Sequence, residues 1–517
     1  MGLWYWENRR GEQAWEALKL EYAAKGQPIE FEKWSRARGE IRFDNSNFFA
    51  TPFLRPLFSF LSSTNVDRDD FFGPGFEEYA PFRQVALPEV FGDKAFEAEV
   101  DLSSWDSVLG SAERPSQDPR SSSQVAIDLL EKLSKWITIL DELEAASFRP
   151  EHRVPLRNYD ELTRLEYAGG FLDRVSDLLA IRCTARLETG EIDLALCDFE
   201  TNERLARILL DDPVTGNRIT GVQVWERGTR MIWEGLERHR WNADQLKLLA
   251  SRVAGRNPRR LWLDGMRCEQ AQIAEQMNDR MELAMINYPG SESIGTILAD
   301  SRTSLQELVR DVIDGNLTLL SFCSEGWVLA GEGGVRVARK CVWEVLAVTP
   351  GWQRRNTIAE IREMDRYHEA WKSWAQGAEI TVEMLDNSEP ESTCSPLNPY
   401  HNRLLCKTFA WESAACAFIN SENRNRMALI ACALEDWHLQ NGAFPPQLSD
   451  LRRGAVPVLL SDAYMYRSFR YELVESGGFS LRVDGILKDK EFDVLKWPRP
   501  GDKYAWGTGV GRTAYVH

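Results

Sequence analysis

From Gln124 onward the apolar residues of this chain recur at helical spacing. Ile127, Leu130, Leu133 and Ile137 fall on one face of a segment that runs on to Ala146, and this predicts an amphipathic helix. The clearest unit is 171–212. There Leu172, Val175, Leu179, Cys183 and Leu187 form one stripe, Glu188-Thr189-Gly190 breaks it, and Ile192, Ala195, Leu196, Phe199, Leu205 and Leu209 form a second. Two apolar stripes around a short Gly turn predict a helical hairpin. Gly190, Ala195 and Phe199 stand at spacings used by tetratricopeptide repeats, although no second copy follows at a 34-residue period. Helical patterning continues through 222–238, 244–253, 266–285, 303–313 and 356–376, with Asn242 and Gln245 placed for a capping box.

Other segments break the helical period. Residues 6–25 read as a helix ended by Gly26, and 36–120 is rich in Phe, Pro, Asp and Ser with little periodicity. Within it, turn formers mixed with aromatics over Phe43–Phe53 predict an extended segment laid over a helical surface. Residues 317–340 hint at a short strand or irregular crossing. Three prolines mark 386–400 as a linker. After it a long helix of about 404–440 stops at Asn441-Gly442, with Pro445 and Pro446 beyond. Phe469, Tyr471 and Leu473 then alternate with polar residues, Ser476-Gly477-Gly478 turns the chain, and Phe479, Leu481 and Val483 alternate again, which is hairpin patterning.

These elements predict a mainly α chain with a tetratricopeptide-like helical-hairpin body and a small C-terminal α+β module. The expected organisation is an N-terminal helix over 1–35, a surface-wrapping segment over 36–120, a helical domain over 121–385, a linker over 386–403, the α+β module over 404–500 and a tail over 501–517.

Composition narrows the function classes. The 79 acidic against 62 basic side chains give a net charge of −17. No basic block stands clear of acidic neighbours, so nucleic acid is excluded as a partner. Nine cysteines are scattered without the close pairs of a zinc or redox motif, and their disulfide pairing is left open. Cys183 and Cys197 lie seven residues either side of Gly190, either level with one another in the hairpin or as separate small core residues. Nineteen tryptophans are the outlying number, and most are assigned to helix seams. The opening Met1-Gly2-Leu3-Trp4-Tyr5-Trp6-Glu7-Asn8-Arg9-Arg10 has two readings: the interfacial end of a membrane helix preceding this chain, or an amphipathic helix packing through Trp4, Trp15 and Leu18.

Ile232–Trp241 with Asp244-Gln245-Leu246, the Phe48–Phe58 segment, and Ala433–Pro445 resemble large envelope proteins of planctomycete and verrucomicrobial bacteria. That resemblance covers most of the chain and implies an N-terminal membrane helix, envelope-protein partners and a location in the periplasm or on the extracytoplasmic face of the inner membrane. The C-terminal module is similar to the soluble part of type II secretion pseudopilins, in which a long helix, a Gly-x-Tyr/Phe-Pro turn and a small antiparallel sheet follow one another. Gly442-Ala443-Phe444-Pro445 and the 469–483 hairpin match that order, while Glu422, Arg424 and Arg426 interrupt a helix that pseudopilins keep apolar. Some pseudopilins bind calcium in the last loop. Asp484, Asp489 and Asp493 stand in that place, but Lys488 and Lys490 among them favour solvated loop charge.

No catalytic motif emerges. The six histidines, 152, 239, 368, 401, 438 and 517, form no His-Glu-x-x-His pair, no Gly-x-Ser-x-Gly elbow exists, and the glycines of 331–334 and 507–511 lack the strand-to-helix setting of a dinucleotide loop. His239, between Arg238 and Arg240 and next to Trp241, offers a ligand edge; the competing reading has Trp233, Leu236 and Trp241 anchoring a helix end. The expectations are therefore unknown catalytic residues, no metal site, no cofactor, and a protein–protein interaction or scaffold role in the bacterial envelope, linked to a secretion or pilus-like assembly. The alternative is a saccharide-binding protein or a glycoside hydrolase working through paired carboxylates and tryptophan stacking.

Overall fold

A computed structural model describes residues 2–27, 41–55, 121–154, 159–212, 214–286, 350–376, 411–453, 469–473, 478–483 and 504–508, with a few isolated neighbours such as Ile29, Phe58 and Leu102. The helices are α1 (Gly2–Ala24), α2 (Ser122–Leu133), α3 (Ile137–Ala146), α4 (Tyr159–Thr189), α5 (Ile192–Leu210), α6 (Thr215–Glu237), α7 (Ala243–Ala254), α8 (Pro258–Ile286), α9 (Pro350–Ala375) and α10 (Trp411–Asn441). Three short strands follow: β1 (Arg470–Leu473), β2 (Phe479–Val483) and β3 (Tyr504–Thr508), in the order β1-β2-β3, both pairings antiparallel. The expected mainly helical chain with a small sheet is what forms. In place of the expected tail, Tyr504–Thr508 pairs along the edge of β2 that β1 does not use, making β2 the central strand. The expected elements at 303–313, 317–340 and 386–403, and Asp484, Asp489 and Asp493, lie outside the described residues.

The chain forms two compact units. The first takes Met1–Ala37, Gln270–Tyr367 and Glu389–Phe409; the second takes Arg38–Glu269, His368–Ser388 and Ala410–His517. In the first unit Trp15, Leu18 and Tyr22 of α1 are buried with Ile29, Ala274, Ile358 and Ile361. Gly11 lets α1 approach closely, since a Cβ there would lie 2.2 Å from the Gly351 carbonyl oxygen. The Gly351 N–H donates to Asn8 Oδ1 at 2.8 Å, and Tyr22 bonds to Asp365, which also accepts from Gln270. Trp15 and Leu18 therefore do pack as the amphipathic reading of α1 expects.

In the second unit α4, α5 and α6 pack pairwise, α2 lies on α4, and α10 lies on α6 and α7. The predicted hairpin of 171–212 is present. Gly190 adopts φ 84° at its turn, a left-handed conformation that costs glycine nothing, and all five residues of the first stripe are buried. Cys183 and Cys197 do not meet across it. The Cys183 thiol is buried and donates to the Ala195 carbonyl, whereas Cys197 faces outward. The packing face of α2 also differs from the expected one. Val125, Ala126, Leu129, Leu133 and Trp136 are buried against Leu178, Ile181 and Ala185, while Ile127 and Ile137 are exposed. A 3-10 turn at Ser134–Trp136 separates α2 from α3. The sequence carries apolar residues on two adjoining faces, and contact with α4 selects between them.

The expected extended segment contains a 3-10 turn, Phe48–Ala50, capped by the Asn47 side chain accepting from Phe49 N–H. Asn47 itself bridges to Glu151, and Phe48, Phe49 and Phe58 are buried. Glu422, Arg424 and Arg426, which interrupt the long helix in sequence, are each paired: Glu422 with Arg259 and Arg426, Arg424 with Glu226. Charges that would be intolerable in an unpaired core are thereby accommodated in α10.

Candidate metal centre

The C-terminal end of α6 is folded back on itself. Gly235 leaves a gap that the Trp241 indole fills; a Cβ at Gly235 would lie 2.0 Å from Trp241 Nε1, which donates to the Ile232 carbonyl at 3.0 Å. The helix closes with the Arg240 N–H reaching the Gly235 carbonyl at 2.9 Å and the His239 N–H reaching the Leu236 carbonyl at 3.0 Å. This is the Schellman pattern, whose C′ position is usually glycine because it is left-handed. Here His239 occupies it with φ 48°, the one non-glycine residue of positive φ among the described residues. A side chain in that conformation costs on the order of 1 kcal/mol, and such outliers persist where the surroundings over-determine them. The expected capping box follows at once: Asn242 accepts from Gln245 N–H at 2.9 Å and Gln245 Oε1 accepts from Asn242 N–H at 3.0 Å. Arg238 is held by Glu188 and Glu234, locking the last turn of α6 to α4.

The left-handed turn aims the His239 ring at α10. Its Nδ1 lies 2.8 Å from Glu435 Oε1. Glu435 and His438 stand three residues apart, which places them side by side on one helix face. One donor atom each from His239, Glu435 and His438 converges within 4.8 Å of the others. Glu435 is only 1% exposed, and its second oxygen, Oε2, has no hydrogen-bond partner among the described residues; neither does His438 Nδ1. A buried carboxylate left half satisfied is costly, by about 1–3 kcal/mol or more. The His239 side chain, 46% exposed, forms the solvent side of the cluster. One turn earlier on α10, burial and then the charge of Glu435 push the Cys432 thiol up to about 12, so it stays protonated.

The cluster is braced from the C-terminal side. Gly442, φ 75°, ends α10 with its N–H on the His438 carbonyl at 2.7 Å, and the turn brings Phe444 to stack on the His438 ring, centroids 4.6 Å apart. Phe444 in turn meets Phe479 of β2 edge-on at 5.1 Å, and the Tyr471 hydroxyl donates to the Pro445 carbonyl at 2.8 Å. The predicted Gly-Ala-Phe-Pro turn thus has a packing role: it joins the imidazole of His438 to the hairpin.

Sequence reasoning expected no metal site and singled out His239 with Trp241. The structure buries Trp241 as the anchor of the helix end and brings His239 to two residues not connected with it in sequence. The available signal was the Glu435-x-x-His438 spacing, but the third donor comes from a residue 196 positions away. The remaining described histidines go elsewhere, His152 to Asp211 and His368 beside Arg267 and Glu369. His401 and His517 lie outside the described residues. No protein-family model, curated protein or solved structure matches this chain.

Proposed function

We propose that this protein is a helical interaction protein of the bacterial envelope, working on the extracytoplasmic side of the inner membrane beside a secretion or pilus-like assembly. The carrying observation is the outward stripe of α5. Leu194 and Cys197 are exposed on it, and farther along the same face the Arg204 guanidinium lies 3.9 Å over the ring of Phe148, which remains 67% exposed. Arg204 also donates to Ser147, so the end of α3 is fastened to α5 and the Phe148 ring is held in place. Acidic Glu144 and Glu200 border this face; partial burial, and then the charge of Glu144, raise the Cys197 thiol. An ordered strip of Leu194, Cys197 and Phe148, with Arg204 over the ring and Glu200 paired to Arg252 at 2.7 Å beside it, suits a protein partner that offers an apolar patch.

The order of α10, its Gly-Ala-Phe-Pro turn and the antiparallel hairpin supports the pseudopilin-like part of the reading, and the aromatic start of α1, with Trp6 exposed, supports proximity to a membrane. Among the described residues no helix is long and apolar enough to cross a membrane. Among the described residues Trp15, Trp136, Trp225, Trp233, Trp241, Trp262, Trp371 and Trp374 are buried and offer no ring face to a sugar, while Trp6 is exposed.

Photo-crosslinking tests the proposal. A photoreactive phenylalanine at position 148, expressed in native cells, is expected to give a discrete protein adduct that Leu194→Glu removes without loss of the fold by circular dichroism. No adduct, together with a bare monomer by sedimentation in native envelope extract, overturns it.

A further inference from the structure

We infer that His239, Glu435 and His438 form a binding site for a divalent transition-metal ion, zinc or a close analogue. This goes beyond the interaction role and does not depend on it. Two imidazoles and one carboxylate are the donor set of open zinc and non-haem iron sites, in which three protein ligands leave a further position for water. Calcium and magnesium, which take oxygen donors, do not match it. The three donors already lie within 4.8 Å of one another. Ligands about 2.1 Å from a tetrahedral zinc stand roughly 3.4 Å apart, so closure requires side-chain adjustments of about 1 Å and no movement of the helices.

Three separate features point to an ion. Glu435 is buried with Oε2 unpartnered among the described residues, and a cation would satisfy it. The His438 Nδ1 is likewise buried without a partner, while Phe444 stacking on the ring fixes its plane. His239 occupies a left-handed position where glycine is the ordinary choice, and that placement is what turns its imidazole toward Glu435. The partly exposed His239 edge leaves an entry path and room for a water ligand. Arg238, next to His239 in the chain, is engaged by Glu188 and Glu234. The Cys432 sulfur is not among the donor atoms that converge there.

An ion held here ties the end of α6 to the end of α10 and, through Phe444 and Phe479, to the β1–β2 hairpin. Metal removal should therefore loosen the C-terminal turn before the α4–α5–α6 core.

The test uses the full chain, stripped with chelator and titrated with Zn2+ by calorimetry, and with Co2+ by its visible ligand-field spectrum. One equivalent is expected to bind, with low-coordinate Co2+ absorption, and Mg2+ and Ca2+ are expected not to compete. His239→Asn is the decisive variant. Asn tolerates the left-handed turn and can still donate to Glu435, but its carboxamide is a poor ligand, so the fold is kept and affinity falls at least about 10-fold. Glu435→Gln, close in shape, should do the same. Hydrogen exchange on zinc addition is expected to slow at 435–447. The inference is overturned if no stoichiometric Zn2+ binds, or if binding survives both His239→Asn and Glu435→Gln unchanged.

Discussion

Asp198 and Glu435 are each 1% exposed, yet their surroundings differ completely. Asp198, between α4 and α5, receives Arg182 on one oxygen at 2.8 Å and Arg186 on the other at 2.7 Å. Burial still raises its pKa, with the two guanidiniums opposing that shift. Glu435, between α6 and α10, has one oxygen on the His239 ring and one with no partner among the described residues. The first site is complete: both oxygens are used to hold two helices together. The second is unfinished, with donors converging on a common point. A finished buried charge is architecture; an unfinished one whose neighbours are imidazoles is a place for a ligand.

The comparison is broken most severely at the finished site. Asp198→Ala strands Arg182 and Arg186 beside a buried void, and denaturant unfolding should show a loss of about 3–5 kcal/mol. A loss under 1 kcal/mol would show that water or a repositioned side chain completes those arginines, and that the two sites differ less than they look.

Next comes Gly235→Ala. Its new Cβ would collide with the Trp241 indole, and the expected cost is about 1–3 kcal/mol in chemical denaturation. Because the same turn aims His239, zinc affinity should fall with it. Retained affinity would separate the turn from the cluster.

A third test exploits another crowded acid, Asp177, which shares Arg227 with Asp173. Burial raises its pKa from 3.8 to about 6, ahead of the opposing pull of Arg227. An acid whose folded pKa lies above its unfolded value binds its proton more tightly in the folded state. Its contribution to stability is therefore largest below pH 4, falls as pH rises to about 6, and is absent as a pH dependence above that. Two pH units correspond to at most about 3 kcal/mol. Subtracting the pH–stability curve of Asp177→Asn from that of the native chain should leave this downward slope between pH 4 and 6. A flat difference would show that Arg227 compensates the burial.

The smallest effect is expected at the unfinished site without metal. His239→Asn should change apo stability by less than about 1 kcal/mol, since Asn keeps both the left-handed turn and a donor for Glu435. With zinc present, the native chain alone should gain stability, by RT ln(1 + [Zn]/Kd), read as a melting shift that the variant lacks. Equal shifts would place the ion elsewhere.

Helical periodicity, the Gly190 and Gly442 stops and the Asn242–Gln245 capping box are local properties, fixed by neighbours three or four residues away, and the chain shows them where the pattern puts them. The hairpin of 171–212 and the β1–β2 pairing belong to the same class. Other features depended on partners distant in sequence. Which face of α2 is buried was settled by Leu178, Ile181 and Ala185 of α4. Whether Tyr504–Thr508 would be tail or strand was settled by its pairing with β2. The charges of Glu422, Arg424 and Arg426 look like a defect along the helix until Arg259 and Glu226 are beside them.

The candidate metal centre shows the division most sharply. Glu435-x-x-His438 is written in the sequence, and so is the Arg238-His239-Arg240-Trp241 cluster at a helix end. Local rules determined that each would sit at the closing turn of a helix. That the two turns face one another follows only from α6 packing on α10, from the Trp241 indole filling the gap above Gly235, and from Phe444 holding the His438 ring. Short-range hydrogen bonds and steric preferences act within a few residues, so the sequence alone determines helices and their caps. Convergence of donors within 4.8 Å across a separation of 196 residues is a property of packing, and it exists only once the helices have buried their faces against each other.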